Sequence, residues 1–520
     1  MFQTPILIIG AGPTGLVLAL WLTRLGVPVR IIDRAAQPGT TSRALAVQAR
    51  TLEFYRQLGL AEAVVAGGVK VAQLNFRVGG ERAAQVPLRH IGEGMSPYPF
   101  ALVFPQDAHE RLLVGRLEAL GAQVERSVEL LRFVQSDDGV QATLRHADGS
   151  EETCEARFLV GCDGASSTVR GVLGVGFPGG TYSGLFYVAD VEAGGPAVDD
   201  ELHVDLEAAD FLLMFPLRGK GRVRLVGVVR ELPGREAGSL TFNDVRGRAV
   251  EHLGLEVRKV NWFSTYRVHH RVAQRFRDGR VFLLGDAAHI HSPVGGQGMN
   301  TGIGDAVNLA WKLAAVLKHG ASERLLESYE AERRPFARRL VASTDRMFTL
   351  VTAPGKVAAF VRTRVVPRIA PRLLRLAPLR RFLFRTLSQI GIHYRGSPLS
   401  DGAAGGLRGG DRLPWIELAP GEDNFAPLVS MTWQVHVYGA VPAGVAEVCA
   451  AYGLPLHAFG WQPKMEAKGF RQDGVYLVRP DGYLGFVDGG GNGERLRAYL
   501  AERRGLVSGA LDGSRVMRDA

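Results

Sequence analysis

The chain has 520 residues, of which 46% are hydrophobic and 22% charged, and its formal net charge is +10. This length predicts two to four domains, and the composition excludes a disordered or fibrous protein. The cysteines Cys154, Cys162 and Cys449 have no metal-ligand spacing and form no plausible disulfide framework. We therefore expect no metal site, and we predict a reducing, cytoplasmic location.

The N-terminal sequence PILIIGAGPTGLVLALWLTRLGVPVRIIDR contains an apolar run at residues 6–22 that could be read as a membrane span. Gly10, Gly12 and Gly15 interrupt the run, which favours a buried strand, a tight turn and a helix over a transmembrane segment. No basic segment precedes it, so we expect no secretion signal. Residues 29–32 form a second apolar strand and complete a βαβ unit.

The turn of this unit fits the pattern G-x-G-x-x-G, with Asp33 at the end of the second strand. Glycines at these positions allow backbone N–H groups to approach a pyrophosphate, and the following helix adds a partial positive charge. A carboxylate at Asp33 can accept hydrogen bonds from an unphosphorylated ribose. The motif predicts a dinucleotide site, in which we include the next residue, Arg34.

The middle of the chain alternates apolar and polar residues, as antiparallel strands with one solvated face do. These patterns occur at residues 74–78, 187–191 and 211–230, and they predict a sheet domain inserted between pieces of the nucleotide-binding domain. A buried strand at residues 280–284 then leads through a glycine-rich turn to a helix predicted at residues 304–317.

This second motif reads GRVFLLGDAAHIHSPVGGQGMNTGIGDAVNLAWKLA, residues 279–314. It places Asp286 after a buried strand, where a carboxylate can accept a hydrogen bond from a polyol. Residues 293–302 supply four glycines before the helix, so free N–H groups and a helix dipole face one spot. Electron-rich or anionic ligand atoms suit that environment.

The positive charge is concentrated between residues 346 and 395, where leucines and arginines at helical spacing are interrupted by prolines. We predict short, kinked basic helices there. The simplest interpretation is a solvated connector or an oligomer face that would make a homodimer. Attraction of anionic lipid or an acidic partner is a second interpretation, and nucleic-acid binding is the least favoured.

Three signatures in the same order give a family resemblance. They are GAGPTG with Asp33, GCDGASSTVR at residues 161–170, and GDAAHIHSPVGGQGMNTGIGDAVNLAWKL. The chain resembles the para-hydroxybenzoate-hydroxylase-like, single-component FAD-dependent aromatic monooxygenases over about the first 345 residues. Its tail, including GGDRLPWIEL and LVRPDGYLGFVD, resembles the thioredoxin-like C-terminal domain of the larger phenol-hydroxylase and polyketide-hydroxylase branch. The tail lacks a Cys-x-x-Cys motif, so thiol redox work is not expected.

The resemblance implies a mixed α/β fold, with a Rossmann-type FAD-binding domain carrying an inserted antiparallel substrate sheet. The predicted domains are residues 1–180 and 271–345 for FAD, with 72–100 joining the substrate sheet of residues 181–270, a basic helical connector at 346–398, and a thioredoxin-like domain at 399–520. The implied FAD-binding residues are Gly10, Gly12, Gly15, Asp33, Arg34, Arg43, Gln106, Asp163, Asp286, Gly295, Gly296, Gly298, Met299 and Asn300.

The resemblance also implies a reaction. NADPH or NADH would reduce the flavin, O2 would add at its C4a atom, and the hydroperoxide would transfer oxygen to a phenolic or polyketide-like ring. The candidate pocket residues are Tyr182, Phe186, Phe211, Leu213, Met214 and His270. For each of them a core role competes with substrate contact. No counterpart of the substrate-deprotonating groups of some relatives is evident; His291 is a candidate for proton relay, whereas His289 is expected to be structural.

Two other functions stay open at the sequence level. A Baeyer–Villiger or epoxidising flavin monooxygenase would carry the same FAD motifs. A flavin halogenase is disfavoured because its tryptophan-rich element is absent. A non-catalytic flavoprotein that binds a membrane or a protein partner through residues 346–395 is the remote alternative.

Overall fold

The computed structural model describes residues 2–39, 44–206, 211–229, 239–352, 355–491, 493–503 and 505. Arg43 lies outside these described residues. The strands of the first half, in chain order, are β1 (Phe2–Ile9), β2 (Val29–Asp33), β3 (Ala46–Val47), β4 (Val69–Val71), β5 (Gln73–Val78), β6 (Glu81–Pro87), β7 (Ala101–Val103), β8 (Val124–Arg126), β9 (Glu129–Gln135), β10 (Val140–Arg145), β11 (Glu151–Gly161), β12 (Gly179–Gly194), β13 (Leu202–Leu206), β14 (Phe211–Pro216), β15 (Arg222–Val229) and β16 (Glu256–Val272).

The later strands are β17 (Arg277–Asp278), β18 (Val281–Leu283), β19 (His289–Ile290), β20 (Asp401–Ala404), β21 (Leu407–Arg408), β22 (Glu417–Ala419), β23 (Glu422–Asp423), β24 (Gln434–Tyr438), β25 (Leu456–Phe459), β26 (Val475–Val478) and β27 (Leu484–Asp488). The helices are α1 (Pro13–Arg24), α2 (Ala49–Gln57), α3 (Ala61–Gly67), α4 (Gln106–Ala119), α5 (Thr168–Val172), α6 (Phe242–Val245), α7 (Gly247–His252), α8 (Gly298–Lys318), α9 (Glu327–Thr352), α10 (Lys356–Phe360), α11 (Val366–Leu374), α12 (Ala377–Leu387), α13 (Val445–Tyr452), α14 (Pro463–Glu466) and α15 (Gly493–Glu502).

The first sheet is built on parallel strands in the order β18-β11-β1-β2-β8. Residues 6–9 of β1 are all buried, as in a strand covered on both faces, and α1 packs against this strand and against α8. The apolar run at residues 6–22 is therefore a strand, a turn and a helix, as predicted. Among the described residues, none of the helices combines the length and apolarity needed to cross a membrane.

The second sheet has the strand order β19-β16-β12-β15-β14-β13-β5-β6 and is antiparallel except where β13 runs parallel to β5. Its strands alternate between two faces. Tyr187, Ala189 and Val191 of β12 point into a core shared with Phe242 of α6 and Val250 of α7. Neighbouring positions of β12 face the opposite way, and we call that opposite side the substrate face.

The C-terminal region forms a third sheet, in the order β21-β20-β27-β26-β24-β25. β24 and β25 are parallel across α13, and β26 and β27 return antiparallel before α15. This βαβ unit followed by a hairpin and a helix agrees with a thioredoxin-like arrangement. Cys449 is buried and its thiol is free, and burial raises its pKa to about 11.

A buried polar network attaches this third sheet to α8 and α9. Glu332 of α9 accepts hydrogen bonds from Lys312 Nζ at 2.8 Å and from Arg479 at 2.7 and 3.0 Å. Arg479 also contacts Asp481, whose carboxylate accepts a bond from the Trp311 indole at 3.1 Å. All of these charged side chains are at most 1% exposed. The C-terminal sheet is thus fixed to the helix that begins at the glycine-rich loop.

The helix after that loop was predicted to begin at residue 304, but α8 begins at Gly298. The prediction was wrong because Gly298 and Gly302 were assigned to the turn. Gly302 is helical, and a Cβ there would lie 2.3 Å from Thr14 Oγ1 of α1. This glycine therefore reflects close contact between two helices.

Candidate functional site

The glycine turn after β1 leaves its backbone uncovered. Gly10 has a φ of +100°, and a Cβ there would lie 2.5 Å from the carbonyl oxygen of Cys162. A Cβ on Gly15 would lie 2.0 Å from the carbonyl oxygen of Gly10. At Gly12, in contrast, a Cβ would meet no protein atom within 4 Å. Two glycines are thus required by the fold, and the third faces open space that suits a pyrophosphate.

Asp33 ends β2 beside this turn. One carboxylate oxygen accepts the N–H of Ala11 at 2.7 Å, and the other accepts the N–H of Ala35 at 2.8 Å. Arg126 lies 3.8 Å from the same carboxylate. A carboxylate offers about four acceptor positions, so both oxygens can still accept a ribose hydroxyl.

A cavity of about 220 Å³ opens at the carboxyl ends of β1, β2 and β11. Such ends are where open parallel sheets bind ligands. The lining residues include five that the sequence predicted: Gly10, Gly12, Asp33, Arg34 and Asp163. Arg43, predicted to reach the same cofactor, cannot be placed because it lies outside the described residues.

Asp163 has a structural task at this cavity. Its carboxylate accepts hydrogen bonds from the Ser167 hydroxyl at 2.6 Å and from the N–H of Val169 at 3.1 Å. Burial raises its pKa, and these hydrogen bonds oppose that rise. Asp163 thus organises the turn into α5 while it lines the cavity.

The segment after β18 returns the chain to the same sheet edge. Gly285 has a φ of +58°, and a Cβ there would lie 2.7 Å from Thr14 Oγ1. The exposed Asp286 follows within a short 3₁₀ turn, Gly285–Ala287. The Asp286 carboxylate is thus exposed just after the carboxyl end of β18.

A buried carboxylate, Asp305 of α8, supports the turn from behind. It accepts hydrogen bonds from the N–H of Gly285 at 3.0 Å, from His289 Nε2 at 2.7 Å and from Arg333 Nε at 2.6 Å. Burial would raise the pKa of Asp305, but the Arg333 charge holds it below its ordinary range. Arg333 also donates to the Tyr394 hydroxyl at 2.9 Å. His289 therefore belongs to the supporting frame, which agrees with its predicted structural role.

The glycine-rich loop approaches the same place. Gly295 and Gly296 have φ values of 76° and 59°, in a 3₁₀ turn just before α8. The Asn300 side chain is fully used by the protein: it accepts from Gln48 N–H and the Thr51 hydroxyl, and donates to the carbonyls of Ala46 and Gly296. Only its peptide group can serve a ligand. Gly298 and Met299, at the start of α8, are half-buried, and Met299 packs against the central core.

Gln106 begins α4 close to this loop. Its backbone N–H donates to the carbonyl of Ala44 at 3.1 Å, and its side chain donates to Glu110 at 2.8 Å. The other oxygen of Glu110 accepts the N–H of Gly39 at 3.1 Å. Gln106 therefore lies next to the segment that was predicted to contact the cofactor. We call residues 10–15, Asp33, residues 285–289 and residues 294–300 together the cofactor edge.

His291 lies between the cofactor edge and the second sheet. Its Nδ1 donates to the carbonyl of Ser292 at 2.8 Å, which leaves Nε2 as the unprotonated acceptor of a neutral ring. This Nε2 is buried and has no hydrogen-bond partner in the described part of the chain. Burial lowers the pKa of His291 to about 4. The ring can accept a hydrogen bond at neutral pH but is not an acid there.

The substrate face carries a group of rings. Tyr182 lies 4.3 Å from Phe348 and 4.8 Å from His270 between ring centroids, and Phe186 lies 5.4 Å from Phe348. Tyr266 packs against Phe186. We call these five residues the aromatic cluster. It includes three of the predicted pocket residues.

The Asp345 carboxylate of α9 contacts the aromatic cluster. The Tyr182 hydroxyl donates a hydrogen bond to Asp345, and His270 Nδ1 lies 3.6 Å from the same carboxylate oxygen. Burial raises the pKa of Tyr182, and Asp345 adds to this rise. Ser292 donates to the carbonyl of Thr344 at 3.3 Å, so this end of α9 contacts the glycine-rich loop.

The other predicted pocket residues divide between the two faces of the second sheet. Leu213 pairs with Val226 and so shares the substrate face. Met214 is the next residue of β14, so its side chain points to the other face of the sheet, where it lies in the core with Leu225. The structure thus separates Met214 from the pocket for which it was predicted. Phe211 begins β14, and its side chain lies outside the described part of the structure.

Sequence reasoning missed two polar groups on this side, Asp345 and Arg224. Arg224 is fully buried, bonds Asp190 at 2.6 and 2.7 Å, and reaches the carbonyl of Ala44 at 3.5 Å. An arginine at an apolar strand position was the available signal for this group. For Asp345 the sequence offered no local signal, because only the packing of α9 brings it to Tyr182. Within the described residues, no cluster of histidine, cysteine or acidic side chains could hold a metal.

Known proteins of similar sequence and structure show the family to which the chain belongs. The family model described as "FAD binding domain" matches residues 3–344, more than half of the chain. The chain is 36% identical to 6-methylpretetramide 4-monooxygenase of Streptomyces rimosus, covering 92% of this chain and 90% of that protein. It is 34% identical to pentachlorophenol 4-monooxygenase of Sphingobium chlorophenolicum, with 80% and 76% covered.

A solved structure, the anhydrotetracycline hydroxylase from Streptomyces rimosus, superposes with a TM-score of 0.77 at 30% identity, covering 96% of this chain and 98% of that one. The uncovered glycine turn, the accepting carboxylate of Asp33 and the open cavity between them fit an FAD dinucleotide. The predicted family membership, the predicted mixed α/β fold and the predicted enzyme class are thereby confirmed. The chain belongs to the FAD-binding family of flavin-dependent aromatic monooxygenases.

Proposed function

We propose that this enzyme hydroxylates a phenolic, polycyclic compound with O2 and electrons from NADPH or NADH. The observation that carries the proposal is the aromatic cluster beside the glycine-rich loop, with the Tyr182–Asp345 hydrogen bond at its rim. The relatives named above act on pentachlorophenol, 6-methylpretetramide and anhydrotetracycline, which are aromatic compounds. Predominantly apolar walls with a few polar groups are typical of sites for such ligands.

FAD bound at the cofactor edge supplies the two-electron chemistry that activates O2 for insertion into an aromatic ring. The chain's residues bind and orient it. Gly12 would leave room for the pyrophosphate, and Asp33 would accept hydrogen bonds from the adenosine ribose. Asp286 would accept from the ribityl chain, and the N–H groups at residues 295–300 would hold the flavin. Arg34 and Gln106 would complete the set by contacts along the cofactor chain, and Arg43, which the sequence also predicted there, lies outside the described residues.

The substrate ring stacks in the aromatic cluster and is shielded from water by Phe186 and Phe348. Asp345 receives the proton of the substrate's phenolic hydroxyl, and the removal of that proton makes the ring more nucleophilic. Tyr182 orients this carboxylate by its hydrogen bond. His270 Nδ1 lies 3.6 Å from Asp345 and so helps to position this carboxylate. Neutral His291 contributes an acceptor nitrogen where the loop and the substrate face meet.

Each of the domains that we propose has its own role. Residues 1–180 and 271–345 hold FAD, residues 181–270 with 72–100 form the substrate domain, residues 346–398 connect, and residues 399–520 form the C-terminal domain. Leu213 belongs to the substrate domain's side of the pocket, and Phe211, which the sequence also predicted there, has its side chain outside the described residues. The proposal places the reaction in the cytoplasm because Cys154, Cys162 and Cys449 are all free thiols.

Anaerobic reduction tests this function. The FAD-loaded protein is mixed with NADPH, then with NADH, and bleaching of the flavin band is followed with phenols, naphthols and polycyclic quinols. We expect one polycyclic class to accelerate bleaching by at least about tenfold, because a bound substrate that changes the barrier by about 1.4 kcal/mol has that effect. Equal, slow bleaching with every compound and both nucleotides would refute the proposal.

The role of Asp345 has a separate test. Asp345→Asn keeps the shape of the side chain and removes its capacity to take a proton, so kcat should fall by roughly 10²-fold while KM changes little. Asp137→Asn, at an exposed residue in the turn between β9 and β10, is the matched control. An unchanged kcat in Asp345→Asn would remove this residue from the reaction.

A further inference from the structure

The helices between residues 355 and 387 expose large apolar side chains to an unusual degree. We call this segment, which contains α10, a π-helical turn (Val361–Val365), α11 and α12, the basic helices. Of the twelve exposed large hydrophobic residues in the described part of the chain, seven lie here, and they are Val357, Phe360, Val361, Ile369, Leu373, Leu376 and Phe382. Val357 is 78% exposed and Phe382 is 65% exposed. A concentration of this kind marks an interaction surface.

The same helices carry only positive charge. The sequence from Arg346 to Ser400 contains eleven lysines and arginines and no aspartate or glutamate. Within the basic helices themselves six arginines are exposed, and no described carboxylate pairs with any of them: Arg364, Arg368, Arg372, Arg375, Arg381 and Arg385. Arg368 and Arg372 instead donate to main-chain carbonyls one turn earlier, at 2.8 and 2.6 Å. The surface thus has unpaired cations beside uncovered apolar groups.

The two kinds of side chain alternate along the outer side of the helices. In α11, Ile369 and Leu373 are one helical turn apart and each follows an exposed arginine. In α12, Phe382 follows Arg381 and precedes Arg385 by three residues. Long arginine side chains beside exposed leucine and phenylalanine can keep their charges among lipid headgroups while the apolar groups enter the acyl boundary.

A second copy of this chain fits the surface poorly. A two-fold interface pairs the same patch with itself, so it would bring two sets of unpaired arginines together with no carboxylate between them. Nucleic acid would satisfy the arginines but would leave the aliphatic groups Val357, Ile369 and Leu376 in water. An anionic bilayer matches both features, because its headgroups are negative and its interior is apolar.

We propose that the basic helices bind the enzyme peripherally to an anionic lipid bilayer, lying in the plane of the headgroups. None of the described helices could cross the membrane, so the attachment is interfacial and reversible. This inference does not depend on which aromatic compound is the substrate. It adds a membrane surface to the partners of the enzyme.

Vesicle flotation tests the proposal with the full-length, FAD-loaded enzyme. One vesicle preparation is phosphatidylcholine alone, and the other contains about one third phosphatidylglycerol, which supplies the negative surface potential. We expect binding to the second preparation at least about tenfold stronger than to the first, and a decline as salt screens the charges. Equal binding to both preparations, or to neither, would overturn the proposal.

Paired variants assign the binding to these helices. Arg368→Glu/Arg372→Glu should abolish flotation, and Phe360→Ser/Phe382→Ser should weaken it at least tenfold even in low salt. The control Arg111→Glu/Arg132→Glu makes the same charge change at two exposed arginines elsewhere. Flavin absorbance and melting temperature confirm that each variant is folded. An equal loss in the control pair would mean that net charge, not this surface, binds lipid.

Size-exclusion chromatography with light scattering, without vesicles, tests whether a second copy of the chain covers this surface instead of lipid. If Phe360→Ser/Phe382→Ser converts a dimer into a monomer, the surface is an interface between two copies and the proposal fails. The same mass for the variant and the parent protein is the expected result.

Discussion

The cofactor edge and the substrate face meet at residues 291–296, yet their polar groups are held in different ways. Behind the cofactor edge, Asp305 contacts Gly285, His289 and Arg333, and each of these charged groups is almost completely buried. On the substrate face, Asp345 is 38% exposed, and His270 Nδ1 and His291 Nε2 have no hydrogen-bond partner in the described residues. The charges behind the cofactor edge are paired within the protein, although His289 Nδ1 has no hydrogen-bond partner in the described residues, whereas the carboxylate on the substrate face is partly exposed and has two unpartnered ring nitrogens beside it.

This difference indicates a division between binding and chemistry. A dinucleotide of fixed shape is bound best by a backbone that is already in place, since binding then costs little ordering entropy. A substrate whose proton must be removed needs polar groups that are not satisfied by the protein itself.

Glu332→Gln should have the largest effect, although it lies far from the reacting atoms. The change leaves Lys312 and Arg479 buried without their main carboxylate, and breaking a buried pair of this kind costs roughly 3–5 kcal/mol of unfolding free energy. Urea unfolding measures the loss. Glu494→Gln, at a side chain 79% exposed, is the control and should unfold like the parent protein.

The same residue predicts a pH dependence. Burial would raise the pKa of Glu332, but the charges of Arg479 and Lys312 outweigh it and hold the pKa well below its usual value of 4.5. A lowered folded-state pKa means stability that is present above the usual value and lost as the pH falls below it. The difference in unfolding free energy between the parent and Glu332→Gln should therefore shrink below about pH 4.5. A difference that grows in acid would contradict this electrostatic assignment.

Gly15→Ala and Gly12→Ala form a matched pair at the cofactor edge. The Cβ of alanine at position 15 would strike the Gly10 carbonyl, which should destabilise the fold by roughly 1–3 kcal/mol. At position 12 the Cβ meets no protein atom, so the fold should persist while the methyl group intrudes on the pyrophosphate. Melting temperature and FAD titration separate the two effects. A Gly12→Ala protein with unchanged FAD affinity would place the cofactor elsewhere.

Asp305→Asn weakens the hydrogen bonds that Asp305 accepts from Gly285, His289 and Arg333. Asp305 itself is not among the residues proposed to contact the cofactor. The loss of one charge-assisted hydrogen bond, about 1.5–3 kcal/mol, should weaken FAD binding roughly 10- to 100-fold. Quenching of FAD fluorescence measures the affinity, and circular dichroism checks the fold. Asp278→Asn, at a partly exposed residue of β17, is the control. Normal FAD affinity in Asp305→Asn would show that this frame does not position the cofactor edge.

The smallest effect is expected on the substrate face. Tyr182→Phe removes the hydrogen bond to Asp345 but keeps the ring stacked on Phe348. One hydrogen bond of about 1 kcal/mol corresponds to a fall in kcat/KM of roughly fivefold, with FAD affinity unchanged. A fall in FAD affinity would mean that the two sides are not separate.

The cofactor edge could be predicted from the sequence because its residues act through short motifs. Gly10, Gly12 and Asp33 lie within one βαβ unit, where spacing alone determines their geometry. The start of α8 was misplaced because the sequence does not show whether a glycine, such as Gly302, serves a turn or a close helix contact.

The substrate face was less predictable. Met214 and Leu213 differ by one residue, and strand register decides which of them faces the pocket. Asp345 reaches Tyr182 only because α9 crosses the second sheet, and no local pattern encodes that contact. Asp305 and Arg333 are paired across two helices and were likewise not predicted.

Turnover under isotopically labelled O2 tests whether the enzyme transfers an oxygen atom from O2 to an aromatic ring. The FAD-loaded enzyme, NADPH and the polycyclic phenol that best stimulates flavin reduction are incubated under heavy-oxygen gas, and the product is examined by mass spectrometry. We expect a hydroxylated product with one heavy oxygen atom on the ring. Consumption of NADPH that yields only hydrogen peroxide, with every stimulating compound recovered unchanged, would contradict it.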